Sequence, residues 1–262
     1  MTRTRRTTWL KVTALVAAIA SLTINFGLID LVDGFTGYVD QARNQVLDVG
    51  WGAVFGVILP LGLLSQLRAP ERRIAGIQQT VVVASTLALA GAAGRSWWYL
   101  ALAAGIGLVS ALLLALHPAR DTFLARGRGV EPAMLALAAV AAFPALVYAW
   151  RMASAARRDL PPADAVSNGL HHWTVMTALA LLVLLLVLLA GARTSGWRIP
   201  ALSASIAAGA WAISCLLAPK SSAGSEGHGW AWATLVWAAA VLAAAAWPRV
   251  RDQPIAVELQ AT

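Results

Sequence analysis

The chain has 262 residues, of which 59% are hydrophobic and only 12% are charged, and its mean hydropathy is +0.69. Because soluble domains carry about 25% charged residues, this composition excludes an ordinary soluble protein and predicts an integral membrane protein. The formal net charge is +8, but the basic residues lie in short clusters between apolar stretches. That pattern is typical of membrane topology signals and of contacts with lipid headgroups, and it argues against nucleic-acid binding.

Eight apolar stretches come close to the roughly 20 residues that a membrane-spanning helix needs. They are predicted at Trp9 to Leu31, Gly50 to Leu67, Ile74 to Ala93, Trp97 to Leu116, Ala133 to Trp150, His172 to Ala192, Ile199 to Leu217 and Gly229 to Trp247. The sequence therefore predicts an all-α polytopic helix bundle that forms a single membrane domain over residues 1–262. Residues 248–262 are expected to form a polar cytoplasmic tail. The arginine-rich N-terminus is interpreted as the start of a retained first helix and not as a cleaved signal peptide.

Positive charges predict the orientation of these spans. Of the 20 Lys and Arg residues, 14 fall on one predicted side and 6 on the other. Since cytoplasmic loops are enriched in Lys and Arg, both termini are predicted to be cytoplasmic in a cell membrane, which requires an even number of spans. The abundance of Ala, Leu and Arg, with few lysines, suggests a bacterial protein.

Small residues and prolines predict how the spans pack. Three pairs of small residues spaced four apart are expected to let helix backbones approach closely. The pairs are Gly52 with Gly56, Ala103 with Gly107, and Ser205 with Gly209. Pro60 and Pro144 lie inside the second and fifth spans, where each removes a backbone hydrogen bond and is expected to kink its helix.

The spans also suggest an internal duplication. Trp51 opens the second span and Trp173 opens the sixth, and an arginine cluster closes each of them. The possible repeat halves are residues 9–117 and 132–247. Because each half would hold four spans, the halves would be parallel and related by an axis along the membrane normal, as in some transporters. The similarity between the two halves could also arise by chance, because apolar segments are built from few residue types.

Acidic residues and histidines gather at the predicted outer face of the bundle. The candidate catalytic residues there are Asp30, Asp33, Asp48, His171 and His172. Under the duplication, the carboxylate that precedes the second span and the histidines that open the sixth span would occupy corresponding positions. Partly buried carboxylates and imidazoles are the usual proton donors and acceptors of enzymes. The alternative interpretation is a set of solvated helix-end charges and interfacial histidines.

Aromatic and uncharged polar side chains near these histidines are candidate substrate-binding residues. They are Trp51, Trp173, Thr174, Thr177 and Asn25. Tryptophans at this depth could line a cavity, although anchoring in the headgroup layer is their commoner role. Hydrogen bonding between helices is the commoner role of Asn and Thr. The connecting segment Arg151 to Asn168 is predicted to be a loop on the same side.

No motif predicts a metal or a cofactor. A site built from the histidines with His228 and Asp48 is conceivable, but adjacent histidines on a helix point in different directions, so only one of the pair is expected to face the bundle. The chain lacks a HExxH sequence and a cysteine pair. We therefore predict no metal and no cofactor.

The leading functional hypothesis is a membrane-embedded enzyme that acts on a lipid or isoprenoid-like substrate. Its reaction would be of the terpene-cyclase kind, a lyase or isomerase reaction in which a carboxylate at the mouth of the bundle protonates the substrate while indole rings stabilise the cation. The partners would be membrane lipids and an apolar or amphipathic small molecule. A transporter or permease subunit is the first alternative, and a non-catalytic membrane partner protein is the second.

Overall fold

The computed structural model of the protein describes residues 3–23, 27–36, 44–125, 129–159, 169, 171–218 and 222–247. In this part of the chain all regular structure is helical, and eight segments are long and apolar enough to cross a membrane. The α-helices are α1 (Arg3–Thr23), α2 (Gly27–Thr36), α3 (Gln45–Gly52), α4 (Leu59–Leu64), α5 (Ile74–Gly94), α6 (Trp97–Leu116), α7 (Pro132–Arg158), α8 (His172–Gly191), α9 (Arg198–Leu217) and α10 (His228–Ala246). The predicted all-α multi-pass bundle with eight spans is confirmed. The predicted tail, from residue 248 onwards, lies outside the described residues.

Two predicted boundaries are wrong in ways that matter for the site. The second span begins at Gln45 and not at Gly50, so Asp48 lies within a helix. The fifth span continues to Arg158 and not to Trp150, so the first eight residues of the predicted loop are helical. Alanines favour this extension, and basic residues in the last turn are favourable at the negative end of the helix dipole. Residues 160–168 lie outside the described part of the chain.

The helices form an inner group and an outer group. Segments Gln45–Leu67, Ile74–Gly94, His172–Gly191 and Arg198–Leu217 have most of their residues buried within the protein. The other four segments bury roughly a quarter of their residues or fewer. These outer helices are nonetheless apolar on all sides, because lipid is as apolar as the protein interior.

Helix α2 approaches the second span closely at glycines. A Cβ atom on Gly56 would lie 2.5 Å from the carbonyl oxygen of Gly27, and one on Gly52 would lie 2.4 Å from the backbone nitrogen of Leu31. The predicted close approach at Gly52 and Gly56 is confirmed. The prediction is wrong for Gly209, where an added Cβ would have no neighbour within 4 Å.

Pro60 coincides with a break in regular α-helix. Residues Ala53–Ile58 form a π-helix, and α4 begins directly after it with Pro60 in its first turn. Proline has no N–H group, and its ring collides with the carbonyl group four residues earlier in a regular α-helix. A wider π turn relieves this collision, and such turns are often found at functional sites. By contrast, α7 continues through Pro144 to Arg158.

Glutamines on α5 connect the inner helices. Gln79 donates hydrogen bonds to the Ile58 carbonyl and to Ser203 Oγ on α9. Gln78 donates to the Phe123 carbonyl and accepts from Thr194 Oγ1. Gln79 thus links α5 to the second span and to α9, and Gln78 links α5 to the segments that follow α6 and α8.

His117, which directly follows α6, should make stability depend on pH. Its side chain is buried, and Nδ1 accepts a hydrogen bond from the Ala119 N–H at 3.1 Å. Burial lowers the pKa of His117, and the Pro70 carbonyl and Glu71 oppose this effect only partly. Because the unfolded chain has a histidine pKa of about 6.5, it binds the proton more readily than the folded protein does. The stabilisation is therefore complete above about pH 6.5 and is lost as the pH falls below that value.

The measurement is the thermal unfolding midpoint in detergent from about pH 8 to about pH 5, for the wild type and for His117→Asn. Asparagine keeps an acceptor for Ala119 but has no proton to gain in this range. We expect the wild type to lose more stability on acidification than the variant does. Parallel curves for the two proteins would contradict this prediction.

Candidate acid–base site

One end of the bundle, which we call the histidine end, brings together the candidate residues. It consists of the starts of α3 and α8, α2 from Asp30 onwards and the end of α9, with the end of α7 and the start of α6 beside them. Every residue of α3 is buried, so this helix enters the bundle at once and carries Asp48 inside. His172 is the first residue of α8, and it too is buried.

Asp48 and His172 form a close pair. Nδ1 of His172 lies 3.1 Å from Oδ1 of Asp48. His172 is 4% exposed and Asp48 is 7% exposed. The imidazole is not aligned for a hydrogen bond to this oxygen, and neither of its ring nitrogens has another hydrogen-bond partner. The contact is therefore described as an electrostatic pair.

Two further carboxylates, Asp30 and Asp33, lie on the neighbouring helix α2. Asp30 is partly buried on α2 and interacts electrostatically with His172, Asp48 and Asp33. We call these four residues the acid–base cluster. It contains three carboxyl groups and one imidazole, so it has more acidic than basic groups in a region with little solvent. Enzymes use groups of this kind to hold and to transfer protons.

Hydrogen bonds hold α2 in place beside the cluster. The Gly34 carbonyl near the end of α2 accepts from Gln45 Nε2 at 3.1 Å and from Ser214 Oγ at 3.0 Å. A Cβ atom on Gly34 would collide with the side chain of Val49 on α3. The position of Asp30 and Asp33 therefore depends on contacts with α3 and α9.

Aromatic rings cover one side of the pair. The ring of Trp51 lies 5.4 Å from the His172 ring, with an angle of 33° between their planes. Trp51 also packs edge-on against Tyr99, with 6.0 Å between the ring centroids. The centroid of the Phe55 ring lies 4.6 Å from that of Trp51. Trp51 is thus part of the protein core and contacts a predicted catalytic residue directly.

The other predicted substrate-binding residues do not join this contact. Trp173 Nε1 donates to Asp159 Oδ2 at 2.6 Å, which ties α8 to the end of α7. Thr177 Oγ1 is 3.2 Å from the Trp173 carbonyl and 3.4 Å from that of Ala149, also on α7. Thr174 is fully buried and its Oγ1 has no hydrogen-bond partner. Asn25 lies outside the described residues.

The neighbouring histidines differ as predicted. His172 faces Asp48, whereas His171 is half-buried and precedes α8 with a left-handed backbone, at φ 52°. This backbone conformation is uncommon for a residue with a Cβ atom. His172 is the residue that makes the 3.1 Å contact with Asp48.

Sequence reasoning missed an apolar groove of about 490 Å³ between α7, α8, α9 and α10. Tyr148 and Trp211 contact each other in its wall, with the Trp211 indole 3.2 Å from the Tyr148 hydroxyl. Arg151 and Glu226 form an ion pair in its lining. These partners are far apart in the chain, so no local spacing predicts them. Another cavity, of about 370 Å³, lies between α1, α4, α5 and α6, and the acid–base cluster lines neither cavity.

The chemistry available at the histidine end is proton transfer by side chains. Among the described residues, no group of three or more His, Cys, Asp and Glu side chains is arranged to hold a metal ion. Comparison with protein-family models, with curated proteins and with solved structures finds no match to this chain.

Proposed function

We propose that the protein is a membrane-embedded enzyme that acts on a lipid or isoprenoid-like substrate, with Asp48 and His172 as its acid–base pair. The observation that carries the proposal is the 3.1 Å contact between these two side chains at a buried position. Isolated buried ionisable groups are costly in a membrane protein and are commonly functional. In this proposal the histidine end faces outward in a cell membrane, and both termini are cytoplasmic.

Each group of the cluster has a distinct role in the proposed reaction. Asp48 holds the imidazole with its proton on Nδ1, which leaves Nε2 as the base. Asp30 or Asp33 acts as the carboxylic acid that donates a proton. Because the cluster is enclosed by helices, the substrate would enter sideways from the bilayer.

The narrower form of the proposal is a terpene-cyclase-like reaction. An alkene carbon takes the proton of a carboxylic acid through its π electrons, which leaves a carbocation and a carboxylate. The cation closes a ring by attack of a second alkene, and His172 Nε2 then removes a proton to restore a double bond. The imidazolium returns this proton to the carboxylate, which regenerates both groups. The indole face of Trp51 stabilises the positive charge. The reaction is an isomerisation, so no external oxidant or reductant is needed.

Single carboxylate variants test this proposal. The proteins Asp30→Asn, Asp33→Asn and Asp48→Asn would be reconstituted in lipid and incubated with linear polyprenols and isoprenoid hydrocarbons, and products would be measured by mass spectrometry. We expect Asp48→Asn to reduce turnover by about 10² or more while the protein stays folded. Asp121→Asn is the matched control, since this carboxylate is exposed and lies among the residues just after α6. Wild-type turnover in all three cluster variants would refute the acid–base role.

The arrangement of the helices favours a second candidate function, transport. The order outer, inner, inner, outer occurs twice along the eight segments. In the duplication, α9 corresponds to α5, and α8 corresponds to α3 with the π-helix. The contact of α5 with α8 is matched by the contact of α9 with α3 and the π-helix. This reciprocal packing supports the proposed duplication of residues 9–117 and 132–247. Parallel repeats of this kind occur in transporters, which would move the lipid without changing it.

A further inference from the structure

The larger groove opens towards the surrounding lipid. Its walls are almost entirely apolar and come from α7 and α10, two of the outer helices, with α8 and α9 behind them. Phe143, Val140 and Trp230 line it and are themselves mostly exposed. A volume of about 490 Å³ lies within the range of small-molecule sites. At membrane depth such a groove would be filled by a hydrocarbon chain.

Among the described residues that line this groove, the charged groups are Arg151 and Glu226, and they lie together at one end. Arg151, near the end of α7, pairs with Glu226, which lies just before α10. The Arg151 side chain is 58% exposed and that of Glu226 is 15% exposed, so the cation remains accessible. Tyr148 donates a hydrogen bond to the Gly224 carbonyl at 2.6 Å, which fixes the segment that carries Glu226 against α7. The groove therefore presents one positive and one negative group side by side where its apolar walls end.

We infer that this groove is a binding site for a glycerophospholipid with a zwitterionic headgroup that contains a primary ammonium, such as phosphatidylethanolamine. An acyl chain would lie along the apolar walls. The lipid phosphate would bind Arg151, and the ammonium would donate hydrogen bonds to Glu226. This exchange replaces one internal ion pair by two pairs with the lipid, so both protein charges stay neutralised. A purely anionic lipid would satisfy Arg151 but would repel Glu226.

The cavity in the first half of the chain provides an internal comparison. It occupies the corresponding position, between α1 and α6 with α4 and α5 behind them, but no charged residue lines it. Ala101 on α6 and Ala233 on α10 are both exposed, and each lies three residues after a tryptophan that lines the same cavity. Only the groove of the second half is thus equipped to select a headgroup.

Photocrosslinking tests the site directly. Full-length protein in nanodiscs would be labelled with phosphatidylethanolamine or phosphatidylcholine that carries a photoactivatable acyl chain, and the labelled residues would be mapped by mass spectrometry. We expect phosphatidylethanolamine to label the groove at least 5-fold more than phosphatidylcholine. Ala233→Phe and Arg151→Gln should each reduce that label at least 5-fold, whereas Ala101→Phe should leave it unchanged. Each variant would first be required to elute as a monodisperse protein.

Equal labelling by the two lipids, or labelling that survives both Ala233→Phe and Arg151→Gln, would overturn the inference. A crosslink between two copies of the chain through this groove would overturn it as well, since a second copy would then be the occupant. The site is separate from the acid–base cluster, so Asp48→Asn should retain the label. Loss of turnover and loss of label therefore report on two independent proposals.

Discussion

Replacing His172 with alanine should reduce the free energy of unfolding by about 3 to 5 kcal/mol, because the Asp48 carboxylate would stay buried without its partner. Asp48→Ala should also be destabilising, since it leaves the imidazole buried and unpaired. The double variant Asp48→Leu/His172→Phe should recover most of the loss. Apolar residues of similar volume often replace a buried ion pair without cost, because they remove the desolvation penalty of both groups.

The measurement is a double-mutant cycle on unfolding in mixed detergent micelles, in which Asp48→Leu and His172→Phe are made singly and together. His171→Asn is the matched control. Asparagine tolerates the left-handed backbone of that position, and His171 is only half-buried. The control should change stability by less than about 1 kcal/mol. If the double variant were as unstable as the sum of the single variants, Asp48 and His172 would not form an energetic pair. Turnover should be absent in the double variant even where stability is restored, which separates the functional role from the structural one.

Gly56→Ala should destabilise the protein by about 2 kcal/mol or more, since its Cβ would lie 2.5 Å from the backbone oxygen of Gly27. No rotamer change relieves a contact with backbone, so α2 would have to move away from the π-helix. That movement would also carry Asp30 away from Asp48 and His172. We therefore expect reduced turnover together with reduced stability.

Gly209→Ala is the control for this substitution. It also lies within a helix, but nothing lies within 4 Å of its added Cβ. Alanine is a better helix former than glycine by about 1 kcal/mol, so this variant should be unchanged or slightly more stable. Thermal unfolding of the two variants beside the wild type measures the difference. Equal stability of Gly56→Ala and the wild type would mean that α2 does not pack through these glycines.

Most of the fold follows from the length and apolarity of the spans, which depend only on bilayer thickness. The span count is correct for this reason. The two wrong span boundaries lie at helix ends that carry polar residues, where hydropathy does not locate the end of the helix. Asp48 is polar, so hydropathy places it before the second span, but tertiary packing buries it on α3. Likewise the polar residues from Arg151 to Arg158 read as a loop, although they continue α7.

The candidate site was partly accessible from sequence. Asp48 and His172 are singled out in the sequence because acidic residues and histidines gather at the predicted outer face. That both are buried and in contact is visible only in the structure. The sequence predicts that one of the two adjacent histidines faces the bundle but does not indicate which one. It also does not predict that Trp51 is buried in the protein core. The groove between α7 and α10 depends on residues 63 to 76 positions apart, such as Tyr148 with Trp211 and with Gly224. Such pairs become neighbours only through helix packing.

Deuterium incorporation reports proton transfer from the protein to a membrane-dissolved substrate. Reconstituted protein in D2O would be incubated with linear isoprenoids, and the mass of each recovered isoprenoid would be determined. We predict that the wild type incorporates deuterium at carbon and that Asp48→Asn does not. Recovery of isoprenoids without deuterium from folded wild-type protein would rule out proton transfer to carbon. Transfer of the same unlabelled lipid between leaflets would identify a transporter instead.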